Sequence, residues 1–171
     1  MMAANNTPAF ARAIAGALSA VSIAALAIAT PALEQDEGKA NVGYLDIAKI
    51  PTECFGHTGP DVRIGVRRSD AYCRAKLAGD AETHLRGVLA CTPTLADRRY
   101  QLAAATRTAF NIGVAAFCKS TIARKFNARD WRGGCDAMLA WNKARVNGRL
   151  VVVAGLAKRR ERERAMCLTG L

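Results

Sequence analysis

Aromatic side chains are scarce in this chain, at 6% of 171 residues, and they are not interleaved with its basic residues. That excludes the stacking platforms of a typical single-stranded nucleic-acid binder. Acidic residues are few, 14 Asp and Glu against 25 Lys and Arg, leaving a formal charge of +11. A surface this basic suits a polyanion, whether nucleic acid, anionic lipid or a cell wall carrying peptide carboxylates. With the aromatic signal missing, the charge points to the cell envelope and away from nucleic acid. No C-x-x-C pair occurs among Cys54, Cys73, Cys91, Cys118, Cys135 and Cys167, so zinc-site and thioredoxin-like readings fall away. An even number of cysteines behind an apolar N-terminus suggests disulfides in an oxidising compartment, with connectivity open. The competing reading, buried free thiols, belongs to a cytosolic protein.

Charge is absent from residues 13–33, AIAGALSAVSIAALAIATPAL, and residues 1–12 before them carry no motif. As a helix the segment would be about 30 Å long, enough to cross a bilayer. Arg12 ahead of it and Glu34, Asp36 and Glu37 behind it set an N-in, C-out orientation. Its apolarity is weak, since thirteen of the 21 residues are Ala, Gly, Ser or Thr and seven are bulky aliphatics. A cleaved signal peptide, with Ala27-x-Ala29 as the cleavage signal, competes with a permanent anchor, which the weakness argues against.

The rest of the chain is long enough for one compact domain. Residues 34–65 lack helical periodicity, and Val42, Tyr44, Ile50, Phe55 and Val62 among Gly and Pro predict short strands. From Ser69 or Asp70 a helix is predicted to about Ala90, with Cys73, Leu77, Ala81, Leu85 and Val88 on one face. Thr92-Pro93-Thr94 ends it. Leu102, Ala105, Ala109, Phe110, Val114 and Phe117 predict a buried central helix. Further helices are expected from Ser120, from Asp130 and over 154–168. The run KRRERER, Lys158–Arg164, reads as a solvated helix face with pairs such as Lys158 with Glu161 and Arg159 with Glu163. Trp131 and Trp141, beside Ala and Met, are expected in the core.

One constellation carries chemistry: Glu37, Asp46 and Thr52, spaced E-x8-D-x5-T. In glycoside hydrolysis one carboxyl gives a proton to the leaving oxygen, and an ionised carboxylate activates or orients a water on the other face of the sugar, which a hydroxyl helps hold. Two carboxylates nine apart are by themselves ordinary surface charge, but their surroundings are specific. Gly38 follows the Glu, Tyr44 precedes the Asp, and Cys54-Phe55-Gly56-His57-Thr58-Gly59 follows the Thr. Later come Ser69-Asp70-Ala71 with Cys73, Phe110-Asn111-Ile112-Gly113, Cys118-Lys119-Ser120-Thr121 with Lys125-Phe126-Asn127, and Gly155-Leu156 with Arg159-Arg160 and Glu163. In this order, from 37 to 168, the chain resembles the phage-type lysozymes, glycoside hydrolase family 24. It departs from that pattern at Lys49, where the family usually has the glycine of a turn.

The resemblance implies an α+β, lysozyme-like fold: a small β-sheet N-lobe (about 34–90) joined by a long helix to an all-helical C-lobe (about 91–171). It implies an N-terminal signal or signal-anchor-release segment over 1–33 and a catalytic domain over 34–171. Glu37 would be the general acid, Asp46 the water-activating carboxylate and Thr52 the residue that positions the water. His57 would be structural, paired with Asp80 on the long helix. The fold would join Cys54 to Cys73, Cys91 to Cys118, and Cys135 to Cys167. The expected protein is an exported endolysin, held at the inner membrane by its N-terminal segment and then periplasmic. It would act on peptidoglycan as a monomer, without metal or cofactor. The alternatives are a non-catalytic, membrane-tethered cell-wall-binding module and, behind it, a basic nucleic-acid-binding protein.

Overall fold

The structure, a computed structural model, describes residues 16–46, 48–146 and 148–171. The first part of the apolar segment, with Arg12, lies outside the described residues. Helix α1 (Ala20–Asp36) leads into an antiparallel sheet of β1 (Ala40–Leu45), β2 (Pro51–Cys54) and β3 (His57–Thr58), in that spatial order. The long helix α2 (Asp70–Cys91) follows. Then come α3 (Arg99–Ile112), α4 (Val114–Cys118), α5 (Thr121–Asn127), α6 (Trp131–Ala137), a hairpin of β4 (Lys143–Val146) and β5 (Arg149–Val152), and α7 (Ala154–Leu168).

Local chemistry sets the helix boundaries. Side-chain oxygens of Ser19, Ser69, Ser120 and Asp130 accept the otherwise unpaired amides of Ser22, Tyr72, Ala123 and Gly133, at 3.1, 3.1, 3.3 and 2.8 Å. Each such cap is typically worth about 1 kcal/mol. Helix α2 stops at Thr92, which takes φ −137° and ψ 63° ahead of Pro93, out of the helical region as residues before proline usually are. The stripe expected to run from Leu102 to Phe117 is divided between α3 and α4 by Gly113, at φ 85°.

Helix α2, 22 residues and about 33 Å long, connects two cores. Its buried Cys73, Leu77 and Ala81 pack with Leu33, Cys54 and Phe55 under the sheet, while Leu85 and Val88 belong to the larger core around α3. All side chains from Gln101 to Ala109 on α3 are buried, so this helix is enclosed by its neighbours. The disulfides join Cys54 to Cys73, Cys91 to Cys118 and Cys135 to Cys167. Each can contribute roughly 2–4 kcal/mol by restricting the unfolded chain.

The helical lobe carries one element that the expectation of an all-helical lobe did not include, the β4–β5 hairpin. Its sequence signal is Asn147-Gly148, followed by Leu150, Val151 and Val152, with Gly148 at φ 80°.

Helix α1 crosses the boundary drawn between residues 33 and 34. Ser22, Ala25, Ala29 and Leu33 are buried, and their spacing of three and four residues puts them on one face. Ala25 and Ala29 join the larger core and Leu33 the smaller one. Small side chains let α1 lie close against α3, whose Ala103, Ala104 and Ala105 are buried in the same core. The alanine content that makes this segment only weakly apolar therefore suits it to tight helix packing. Among the described residues, no helix is long and apolar enough to cross a membrane.

Candidate active site

Glu37 stands where α1 ends. Its backbone has turned to φ −96° and ψ 135°, and its amide still donates to the Leu33 carbonyl at 2.9 Å. Arg159 of α7 donates through Nη1 to Glu37 Oε1 at 2.8 Å and through Nη2 to the Asp36 carbonyl at 2.7 Å. The Glu37 side chain is 23% exposed, so it is held on one side and open on the other.

Its neighbour Asp36 anchors this junction. The carboxylate is buried and bonded by Arg107 of α3 and by Arg162 of α7, the latter at 2.7 Å. Burial alone would raise its pKa. The hydrogen bonds from Arg107 and Arg162, with the charges of Arg107 and Arg159, outweigh burial and hold the carboxyl below its ordinary value. Three helices thus converge on the residue before Glu37, and its position depends on α1 being seated.

Asp46 and Thr52 are brought together across the β1–β2 turn. The Asp46 amide donates to the Ile50 carbonyl at 3.1 Å, and Thr52 Oγ1 donates to the same carbonyl at 3.0 Å. Asp46 Oδ1 accepts the amides of Ala48 and Ile50, both at 2.8 Å. One oxygen of Asp46 therefore builds the turn, and Oδ2 accepts no hydrogen bond among the described residues. Thr52 is buried on the central strand, opposite Tyr44 and Thr58. Because its hydroxyl proton is directed to Ile50, its oxygen lone pairs remain available to a donor such as water. Glu37, before β1 in the chain, is tied to the helical lobe through Arg159.

Lys49 takes φ 60° in this turn. That is the left-handed region, which costs a side-chain-bearing residue about 1–2 kcal/mol and glycine almost nothing. Part of the gain on changing to glycine is returned as unfolded-chain entropy, so Lys49→Gly is expected to raise stability by roughly 0.5–1 kcal/mol. Denaturant midpoints at unchanged slope would measure it, and a lower midpoint would contradict the strain.

His57 ties the sheet to α2. Its Nδ1 lies 2.7 Å from Asp80 Oδ2 and its Nε2 3.2 Å from Asp61 Oδ1, with the ring mostly buried. Burial pushes the imidazole pKa down. The hydrogen bonds and charges of Asp80 and Asp61 more than compensate, leaving it raised. A base whose folded pKa is raised contributes stability that is complete below its unfolded value of about 6.5 and is lost as pH climbs through the folded value. Thermal midpoints should therefore fall from mildly acidic toward alkaline pH, and His57→Asn should flatten that limb while lowering the acid-side midpoint. An unchanged limb in the variant would place the titration elsewhere. Asp36 and Asp61, both depressed, act in the opposite sense, their contribution being lost as pH falls through their folded values.

The KRRERER run is only partly a solvated face: Lys158, Glu161 and Arg162 are exposed, while its inner side is buried. Arg160 and Glu163 are fully buried and paired at 2.7 Å, Glu163 also accepts from Thr108 at 2.7 Å, and Arg160 reaches Asn111 at 3.1 Å. Arg159 pairs with Glu37 in place of the expected Glu163, and Lys158 and Glu161 form no ion pair among the described residues. The sequence held a sign of this. Leu156, Arg160, Glu163 and Cys167 recur at helical spacing, and a cysteine bonded into the core requires that stripe to face inward. Trp131 and Trp141 are partly buried against the larger core.

The family model described as Phage lysozyme matches residues 34–163. The SAR-endolysin of Enterobacteria phage P21 is 33% identical over 171 aligned residues, covering 95% of this chain and 98% of that protein. The endolysin of Escherichia coli O157:H7 phage FAHEc1 superposes with a TM-score of 0.74 at 28% identity, over 92% of this chain and 96% of that one. The muramidase domain of SpmX from Asticaccaulis excentricus gives 0.76 at 27% identity, over 83% and 95%.

Proposed function

The chain belongs to the phage lysozyme family, and on that premise we propose that it is an exported endolysin. In this reading it hydrolyses the β-1,4 bond between N-acetylmuramic acid and N-acetylglucosamine in peptidoglycan. The observation that supports it best is the sharing of the Ile50 carbonyl by Asp46 and Thr52, with Glu37 held by Arg159 where α1 ends. Glu37 protonates the leaving glycosidic oxygen as the bond breaks. The water that replaces it is oriented by the Thr52 oxygen and activated by the Asp46 oxygen left over from the turn. By family analogy the anomeric centre inverts, no metal or cofactor takes part, and the protein works as a monomer. Its partner is peptidoglycan and not nucleic acid.

The N-terminal segment sets where and when this happens. While residues 13–33 lie in the inner membrane, Ser22, Ala25, Ala29 and Leu33 cannot also lie against α2 and α3. Asp36 then lacks its bonds to Arg107 and Arg162, and Glu37 has no fixed place. On release into the periplasm α1 docks and the site is complete.

Incubation with purified, membrane-free peptidoglycan, followed by mass analysis of the fragments, tests the chemistry. Turbidity should fall, and the new ends should be reducing muramic acid carrying one added water. Binding without clearance would instead support the non-catalytic wall-binding module. Ends closed into a 1,6-anhydro ring would show that water is not the nucleophile.

A further inference from the structure

We propose that the β4–β5 hairpin is a docking element for the surface of an anionic lipid bilayer. Among the described residues the two strands pair only with each other, in the register Lys143↔Val152, Ala144↔Val151, Arg145↔Leu150 and Val146↔Arg149. Directly opposed residues share a face, so one face carries Lys143, Val152, Arg145 and Leu150, and the other Ala144, Val151, Val146 and Arg149. Aliphatic groups stand in water on both: Leu150 is 63% exposed, Val152 59% and Val146 47%. An exposed ribbon with two open edges and branched aliphatics is an aggregation hazard that folded proteins usually avoid. Its presence calls for an occupant.

The composition selects which one. Between residues 143 and 152 the hydrogen-bonding side chains are Lys143, Arg145, Arg149 and Asn147, with no aromatic and no carboxylate. A sugar-binding lip would supply stacking rings and neutral or acidic groups. A bound peptide or glycan also touches one face of a ribbon, whereas these aliphatic groups stand on both. A medium that surrounds the ribbon satisfies both faces at once. At a lipid interface the aliphatics enter the acyl boundary while the guanidinium and ammonium groups meet phosphate. Pairing of two hairpins from separate copies is opposed by the cations on each and by a charge of +11 on each chain. With the buried face of α1 turned into the core, the hairpin would keep the released enzyme at the membrane surface and so concentrate it near the wall.

Co-sedimentation of the full chain, purified from the soluble fraction, tests this. The probes are vesicles of phosphatidylethanolamine containing phosphatidylglycerol, and vesicles of phosphatidylcholine alone. The wild type should bind the anionic vesicles and bind the zwitterionic ones weakly. Leu150→Ser with Val152→Ser should lower partitioning by about tenfold or more, with clearance of membrane-free peptidoglycan and the thermal midpoint unchanged. Arg145→Gln with Arg149→Gln keeps the aliphatic groups, gives a second reading should the first variant fold poorly, and should lose a similar factor at low salt but little at high salt. Undiminished binding by the hairpin variants would overturn the proposal by placing the contact on the N-terminal segment or on overall charge. Absence of wild-type binding to anionic vesicles would overturn it too. So would loss of wall clearance in folded variants, which would make the hairpin a substrate contact. No cleavage enters the vesicle measurement, so its failure leaves the lysozyme reading standing.

Discussion

Glu37→Gln should give a folded protein that binds peptidoglycan and clears it about 10²–10⁴-fold more slowly, the range ascribed to general acid–base catalysis. The amide is nearly the shape of the carboxyl, and its oxygen can still accept from Arg159 Nη1, now 2.8 Å from Oε1. The junction of α1 with α7 should therefore survive, and what is lost is a transferable proton. Asp46 is a harder test because one of its oxygens serves the turn. Asp46→Asn keeps a carbonyl oxygen for the amides of Ala48 and Ile50, so its loss of activity reports chemistry. Asp46→Ala removes both functions and should also lower stability. Thr52→Ala should cost less activity than Glu37→Gln. Initial rates of turbidity loss, with circular dichroism on each variant, give the comparison. Near wild-type turnover in Glu37→Gln would mean that another group delivers the proton.

The second large effect is expected at α1, where two sets of Ala→Leu changes should separate membrane retention from folding. Ala17 and Ala27 are exposed and Ala24 is partly so. Ala17→Leu, Ala24→Leu and Ala27→Leu together leave the face of Ser22, Ala25, Ala29 and Leu33 intact. They should favour insertion by roughly 1 kcal/mol or more. This variant should stay with the membrane and lyse cells late or not at all, yet be active once extracted in detergent. Ala25→Leu with Ala29→Leu should be retained too, but stay weak in detergent. Both positions are fully buried in the larger core, and overpacking costs about 1–3 kcal/mol at each such site. Equal detergent activity from the two sets would mean that the α1 core face does not build the enzyme. Wild-type protein should occur at full length in membrane and periplasmic fractions, moving to the latter on addition of an uncoupler. A shortened soluble form starting near Thr30 would show a cleaved signal peptide. It would also be a costly product, because cleavage there removes Ala25 and Ala29 from the core.

Much of the fold was legible along the chain because its signals are local. Ser69 followed by Cys73, Leu77, Ala81, Leu85 and Val88 reads as a capped helix with one inward face, and α2 buries those five residues. Ser120 and Asp130 marked helix starts for the same reason: a short polar side chain before an apolar run satisfies free amides. Lys49 stood out as a lysine where a turn favours glycine, and it takes a positive φ. The hairpin's local signal, Asn147-Gly148, is short and stands between helical segments that dominate the sequence pattern of this lobe.

The sequence by itself determined the periodic elements, the identity of the family and the spacing of Glu37, Asp46 and Thr52. Each of these depends on residues that are neighbours in the chain or on one helix face. Only the tertiary structure decided which charges meet. Arg159 and Glu163 sit four apart on α7 and look like partners, yet Arg159 turns to Glu37, 122 residues away, and Glu163 is buried with Arg160 and Thr108. Asp36 likewise draws Arg107 and Arg162 from two other helices. A buried charge pairs with whatever opposite charge the packing brings within reach, because its desolvation must be offset there. The same holds for residues 20–33. Composition described a weak membrane span, and the small face against α3 describes a core helix. The structure seats this face in the core, because burying it needs α2 and α3, which lie far along the chain.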